Sequence, residues 1–289
     1  MLGENPDGTF RIENMEVAKP QKKRISYSQL ELLSKCGVAY ERRYIRHSDE
    51  PKGISLFVGS AIDHSVNENL RAKLASGILL PVQQVIDIAI AKFNREIEEC
   101  ENILLKNKEE ALGQEVAITA GRDKVIALAR LHAEQVAPIL NPLPNGIQRP
   151  LGIELPNYPF DIGCVIDIQE HDGVIDTKTT AKSPAENAAD ESDQLTIYAM
   201  AVLLNDGYIP QNLRLDFLVA NKTPVYRPRT TTRAEEDFDI YLRRVDAGVR
   251  AIERGAFVPA RESDWWCGRG NCGFWDSCPY VKHSRRPAA

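Results

Sequence analysis

The chain has 289 residues, 43% hydrophobic and 27% charged, with a formal net charge of −5 and a pI near 5.7. This is the composition of a soluble globular protein with enough apolar surface for a sizeable core. It excludes bulk positive charge as the source of any nucleic-acid affinity, which would have to come from a local basic patch or from bound metal ions.

No stretch approaches the roughly 18 consecutive apolar residues of a membrane span. The opening MLGENPDGTFRIENMEV lacks the apolar core of a signal peptide. The expectation is a cytoplasmic protein without membrane partners, whose six cysteines are thiols or metal ligands rather than disulfides.

Residues 1–20 have no clear period and read as a loosely held arm. Ser26 opens a helical stretch to about residue 45, with Ser28 and Glu31 at capping-box spacing. It carries Arg42, Arg43, Arg46 and His47, which with Lys22, Lys23 and Arg24 form the densest basic region, either a solvated face or one wall of a DNA path. Helices are expected over 56–76, 82–100 (Pro81 in its first turn) and about 114–137. The turn cluster Asn141–Gly146 ends this helical half. Strands follow at 149–156, 160–170 and 173–180, then a helix at about 187–205, strands at 213–220 and 223–230, a helix at about 232–254 and a tail rich in cysteine and aromatics. No internal repeat or low-complexity tract occurs. The layout is one α/β domain with a helical insertion.

The strongest local signal lies in residues 160–180, FDIGCVIDIQEHDGVIDTKTT. Asp172-Gly173 between two β-like runs has the form of a two-residue hairpin turn. That register sets Asp167 opposite Lys178 and Gln169 opposite Asp176. Alternation then puts Asp167, Asp176 and Lys178 on one face and Ile166, Ile168, Ile175 and Thr177 on the other. Two carboxylates suit a hard cation such as Mg²⁺. A neighbouring lysine can orient a water or offset charge developing on a phosphate. The same residues also suit a cross-strand Asp167–Lys178 salt bridge on a solvated face, worth at most about 1 kcal/mol.

The stretch resembles the core of the PD-(D/E)XK nuclease superfamily, in particular its RecB-like branch. Gly163 through Asp167 matches the Gly-x-x-x-Asp element that ends one strand, and Asp176-Thr177-Lys178 matches the Asp-x-Lys of the next. The opening Ser-x-Ser-x-Leu-x-x-x-x-x-Cys appears as Ser26 to Cys36, an upstream helix with Gly and His as Gly59 and His64, and Gln-x-x-x-Tyr as Gln194 and Tyr198. The resemblance implies a restriction-endonuclease-like mixed sheet flanked by helices. It implies Mg²⁺ or Mn²⁺ held by His64, Asp167, Asp176 and the Thr177 carbonyl, with Lys178 assisting the attacking water. Gln194 and Tyr198 share a helix face beside the site, and Glu154 is a further acidic candidate. Without the resemblance, His64 reads as a helix-surface residue and Tyr198 as ordinary packing.

Cys267, Cys272 and Cys278 lie close together, with four and five residues between them. Soft thiolates at such spacing select zinc or an iron–sulfur cluster. AddB-type and CRISPR-associated relatives carry one cysteine before the core and three after it around a [4Fe–4S] cluster. Cys36, Cys267, Cys272 and Cys278 match that plan, although the first tail spacing is four residues where the relatives have two. Zinc is the alternative. Such a cluster would join the N- and C-terminal regions and add folding free energy directly, with Trp265, Trp266, Phe274 and Trp275 shielding it.

The expected organisation is an arm over 1–20 and a single nuclease domain over 21–289, with an insertion at about 65–140, a core at about 149–255 and a cysteine-rich tail at 263–289. The expected function is a metal-dependent DNA exonuclease acting on single strands or duplex ends, in recombination, repair or phage DNA processing. No Gly-x-x-x-x-Gly-Lys-[Ser/Thr] loop is present, so ATP hydrolysis would come from a partner such as a helicase; a recombinase or annealing protein is another expected partner. The competing readings are a non-catalytic DNA-binding module of a recombination complex and a zinc-stabilised scaffold.

Overall fold

The computed structural model describes residues 22–156 and 160–281, together with the backbone of two short strands, β1 (Leu2–Glu4) and β2 (Phe10–Ile12). These two pair antiparallel, where the sequence suggested an arm without regular structure; the rest of that arm lies outside the described residues.

Strand β3 (Lys23–Ser26) leads into α1 (Tyr27–Lys35). The capping box here is Ser26 with Gln29, two residues earlier than the expected Ser28 and Glu31: Ser26 N–H donates to Gln29 Oε1 at 2.6 Å and Gln29 N–H to Ser26 Oγ at 3.4 Å. The expected single helix to residue 45 is broken at Cys36, whose backbone is extended. The chain then re-enters a helix as α2 (Gly37–Tyr40) and a π-helical turn (Glu41–Ile45). Two residues at β4 (Lys52–Gly53) precede α3 (Ile54–Ser76) and α4 (Val82–Glu98), then β5 (Ile103–Leu104), α5 (Asn107–Leu112) and α6 (Gln114–Leu131). The small β4–β5 pair and α5 had no sequence signal long enough to read.

The second half supplies β6 (Ile147–Ile153), β7 (Phe160–Gln169), β8 (Gly173–Thr180), α7 (Asp193–Asp206), β9 (Asn212–Val219), β10 (Val225–Thr231) and α8 (Glu235–Glu253). The main sheet is mixed, in the order β10-β9-β8-β7-β3, with β6 also on β7. Helices cover both faces. On one, Leu195, Ile197 and Val202 of α7 and Phe238, Tyr241, Val245 and Val249 of α8 pack on Ile162, Ile166, Val174, Leu213 and Leu215. The α8 residues recur at helical spacing, the pattern of an amphipathic helix lying on a sheet. On the other face, α3, α4 and α6 bring Phe57, Ile62, Leu70, Phe93 and Leu128 onto Ile168, Ile175 and Leu218. Burying each large side chain contributes about 1.5–3 kcal/mol, so both helical layers are bound firmly to the sheet. Among the described residues no helix is long and apolar enough to cross a membrane.

Strand β7 forks the sheet. β6 runs along one of its edges, from Ile153↔Ile162 to Ile147↔Ile168. The other edge is shared: β3 pairs in parallel with Phe160–Gly163, and β8 pairs antiparallel only at Ile168↔Ile175 and Gln169↔Val174. Residues 164–167 therefore face a gap between β3 and β8 on that edge.

This register corrects the expected hairpin. Asp172-Gly173 is not its two-residue turn, because Gly173 is drawn into the parallel ladder with Asn212 of β9 and the Asp172 carbonyl accepts from Gln211 and Asn212 N–H at 2.9 and 3.1 Å. A Cβ on Gly173 would stand 2.9 Å from the Asn212 carbonyl oxygen, so a larger residue there would force the ladder apart. The pairing slips by two residues, which preserves faces but sets Asp167 level with Asp176 instead of Lys178. Like charges directly opposite are unfavourable, and the ladder stops just before them. The expected shared face of Ile166 and Ile168 also fails. Ile166 packs under α7 and Ile168 under α3, so β7 changes face at Asp167.

Candidate active site

The gap in the sheet collects the polar residues singled out from the sequence. Asp176 is buried and Lys178 follows two positions later on the same strand, so both face α7. Lys178 Nζ lies 2.7 Å from Asp176 Oδ2 and donates to Gln194 Oε1 at 2.8 Å. Gln194 Nε2 donates to Asp176 Oδ1 at 2.8 Å and to Tyr198 OH at 2.7 Å, and Tyr198 OH lies 3.4 Å from Asp176 Oδ1. The ion pair thus forms within β8, whereas the sequence offered a cross-strand pair between Asp167 and Lys178.

The i,i+4 spacing of Gln194 and Tyr198 on α7 stacks them over the strand. The helix starts where it does because Ser192 Oγ accepts the Leu195 N–H at 3.3 Å. Thr177, expected to lend its carbonyl to a metal, sits between Asp176 and Lys178 with its side chain on the α3 face by alternation; its buried hydroxyl has no hydrogen-bond partner in the structure.

Sequence reading missed two neighbours. Gln148 of β6 donates from Nε2 to Asp63 Oδ1 at 3.1 Å and to Asp167 Oδ1 at 3.4 Å. It is Asp63 of α3, not His64, that joins Asp167 in this way, and Asn67 Nδ2 holds Asp63 Oδ2 at 3.2 Å. One residue along a helix is a rotation of about 100°, so the two side chains cannot share one direction. His64 stays close enough to Asp63 to stabilise its charge. Asp63 had one signal in the sequence, its position beside His64 and four residues after Gly59. Gln148 had none. Glu154, the further acidic candidate, is exposed.

The electrostatics are those of crowded carboxylates. Burial, then the Asp176 and Asp63 charges, push Asp167 up to about 8 against the opposing pull of Lys178. Burial also raises Asp63, opposed by the Asn67 amide and reinforced by Asp176. For Lys178, burial alone would lower the pKa, but Asp176 and Asp167 outweigh it and the net shift is upward. Tyr198 is held well above its ordinary range by burial and by both aspartates, so it stays a neutral donor.

This excess of negative charge is what a divalent cation would offset, and oxygen donors are what Mg²⁺ or Mn²⁺ prefers. The donor chemistry fits such an ion. Among the described residues, however, no three His, Cys, Asp or Glu side chains stand grouped ready to hold one.

The four cysteines expected around a cluster come together. Cys36, Cys267, Cys272 and Cys278 line one small cavity walled by Trp266, Phe274 and Trp275. Their thiols are near enough to raise one another: burial first, then Cys36 and Cys278, raise Cys267, and burial chiefly raises Cys272 to about 11. Trp265, expected to shield them, is exposed.

Cys36 reaches the tail because Gly37 N–H donates to the Val258 carbonyl at 2.7 Å. A Cβ on Gly37 would lie 2.6–2.8 Å from the backbone of Val258 and Phe257, so only glycine permits the approach. Arg42 pins the same junction. Its guanidinium donates to Ser277 Oγ and carbonyl at 2.8 and 2.9 Å and lies 5.4 Å from the centre of the Phe274 ring.

The expected basic wall is therefore largely engaged within the protein. Arg42 holds the tail, Arg43 pairs with Glu50, Arg46 with Glu41, and Lys22 with Asp161 and the Leu155 carbonyl. Arg24 lies across the glycines of β6 and β7, and the Lys23 side chain is outside the described residues.

A mixed sheet between two helical layers thus carries Asp-x-Lys on β8, beside the fork at β7. The chain belongs to the PD-(D/E)XK nuclease superfamily, whose family model matches residues 24–279. Among solved structures it is similar to a chain from Eubacterium rectale called "Putative exonuclease", with a TM-score of 0.57 at 13% identity, over 97% of this chain and 96% of that one. At that identity the likeness is one of fold. A comparison with curated proteins finds no match.

Proposed function

We propose that this protein is a Mg²⁺- or Mn²⁺-dependent deoxyribonuclease acting as an exonuclease on DNA. The observation that carries the reading is the closed hydrogen-bonded set of Asp176, Lys178, Gln194 and Tyr198 beside Asp167 and Asp63. Gln194 uses both ends of its amide, one on Lys178 and one on Asp176, so neither charge is free to rotate away. A buried polar network is costly unless its groups find partners; here Asp176 Oδ1 accepts hydrogen bonds, and Asp176 Oδ2, without a hydrogen bond in the structure, has the Lys178 ammonium 2.7 Å away as its counter-charge, with the lysine side chain partly exposed.

Asp63, Asp167 and Asp176 would hold the cation, with the Thr177 carbonyl and His64 at its margin. A divalent ion held there would supply Lewis-acid chemistry at the phosphate. Lys178 orients the attacking water and offsets charge developing on the phosphate. Gln194 fixes the ammonium in place. Tyr198 donates to Asp176 and closes the site from the α7 side.

By the same reading Cys36, Cys267, Cys272 and Cys278 carry a [4Fe–4S] cluster, with zinc the alternative soft-ligand occupant. What supports it is the shared cavity of the four thiols and the apolar wall around them. Its role would be structural, fastening the tail to the start of the core.

The test is cleavage of end-labelled single- and double-stranded DNA with Mn²⁺ by anaerobically purified protein, beside its Lys178→Ala variant. Cleavage lost in the variant supports the reading. Cleavage that persists there would place the chemistry away from Lys178 and overturn this site, and no cleavage by the intact protein overturns the reading in favour of a DNA-holding module. Iron and zinc content of the same preparation separates the two cluster assignments.

A further inference from the structure

Gln148 combines three features that ordinary sheet structure does not call for. Its backbone is left-handed, with φ of 51°, a conformation disfavoured for a residue with a long side chain. The β6–β7 ladder pairs Ile147 with Ile168 and Arg149 with Ile166 but omits the Gln148–Asp167 step between them. And its one amide nitrogen is shared between two carboxylates, Asp63 Oδ1 at 3.1 Å and Asp167 Oδ1 at 3.4 Å. Glycine or asparagine would adopt that backbone at less cost. Glutamine differs from both in reach, and the reach is what lets it touch α3 and β7 together.

We propose that the Gln148 amide is a placeholder for the cation: it occupies the position between Asp63 and Asp167 that the ion takes, and must withdraw when the ion binds. This deepens the functional reading above and rests on the carboxylates being the cation site. The amide supplies only partial positive charge to Asp63 and Asp167, so it holds them in position without neutralising them. A divalent ion offsets the same charges far more completely and displaces it. Once displaced, the side chain is released from the contacts that hold its strained backbone, so cation binding and the conformation of β6 are linked. The strength of the amide's hold sets how much cation is needed to fill the site.

The test is Mn²⁺ binding without DNA, read by paramagnetic resonance of the free ion, together with melting temperature in chelator. It compares the native protein, Gln148→Ala, Gln148→Asn and Asp167→Asn. Asparagine keeps an amide and suits the left-handed backbone but is too short to reach both carboxylates, so it guards against an alanine variant that simply misfolds. Hydrogen bonds to charged groups are the stronger class; losing the amide as a competitor should tighten Mn²⁺ binding about tenfold in both Gln148 variants, with lower melting in chelator. Asp167→Asn should abolish the binding. Equal or weaker Mn²⁺ binding in both Gln148 variants, with Asp167→Asn still abolishing it, overturns the placeholder alone. Binding that is absent from the native protein, or indifferent to Asp167→Asn, overturns the cation site itself and the placeholder with it.

Discussion

Lys178 Nζ stands 2.7 Å from Asp176 Oδ2, with the carboxylate buried and the lysine side chain 40% exposed. The pair is therefore asymmetric. Removing the lysine leaves a buried carboxylate without its counter-charge, whereas removing the aspartate leaves an ammonium that water can reach.

Lys178→Ala should accordingly lower stability by about 1–3 kcal/mol, discounted from the value for a fully buried pair because the ammonium is partly solvated. It should reduce DNA cleavage by at least about 100-fold. Asp176→Asn should reduce cleavage as severely while costing less stability. Parallel urea denaturation and cleavage assays separate the two effects, and equal stability losses would remove the asymmetry.

Gln194→Ala breaks the amide bridge between both charges and leaves Asp176 Oδ1 with only the long contact to Tyr198. Cleavage should fall with a stability loss of about 1–3 kcal/mol. Gln194→Glu should be worse than alanine in stability, because it sets a third carboxylate against Asp176. Thermal unfolding of the two variants decides this, and a glutamate variant as stable as the native protein would argue that the amide does not fix the pair.

His132 lies fully buried beyond the end of α6, with neither ring nitrogen hydrogen-bonded in the structure. Burial lowers its pKa from 6.5 to about 3. The unfolded chain takes up the proton first, so this residue's share of stability is complete above about pH 6.5 and is lost as pH falls toward 3. At pH 5 the loss should be about 2 kcal/mol relative to pH 7. His132→Leu should remove that component. Denaturation curves of both proteins at the two pH values give the comparison, and an unchanged difference would rule the residue out.

At the tail junction, Gly37→Ala drives a methyl group into the backbone of Phe257 and Val258. It should lower stability by more than the few tenths of a kcal/mol of an ordinary surface change and, if the four cysteines hold iron or zinc as proposed, lower the content of that metal. Arg42→Ala should loosen residues 274–277 with a smaller effect on the rest. Hydrogen exchange of the tail, with metal content, measures both. Retention of full metal content by Gly37→Ala would show that the junction is not what brings Cys36 to the other three cysteines.

Much of this molecule was legible in one dimension. Alternation with period two and helical spacing with period 3.6 located the strands over 160–180 and 213–230 and the helices carrying Gln194, Tyr241 and Phe57, because burial on one face leaves its period in the chain. Asp176 and Lys178 were found this way together with their spacing, Gln194 and Tyr198 through the family resemblance, and all four meet. What only the tertiary structure decided were the features set by partners distant in sequence. Asn212 pulled Gly173 into a ladder and moved the hairpin register by two residues. The sharing of one edge of β7 between β3 and β8 opened the gap where alternation breaks, so Ile166 and Ile168 face opposite layers. The rotation of α3 on the sheet turned Asp63 toward Gln148, and a left-handed backbone at Gln148 delivered an amide between two carboxylates. A period reports which side of its own element a residue occupies; which elements share an edge, and how one is turned against another, is set by packing energies summed over the whole fold.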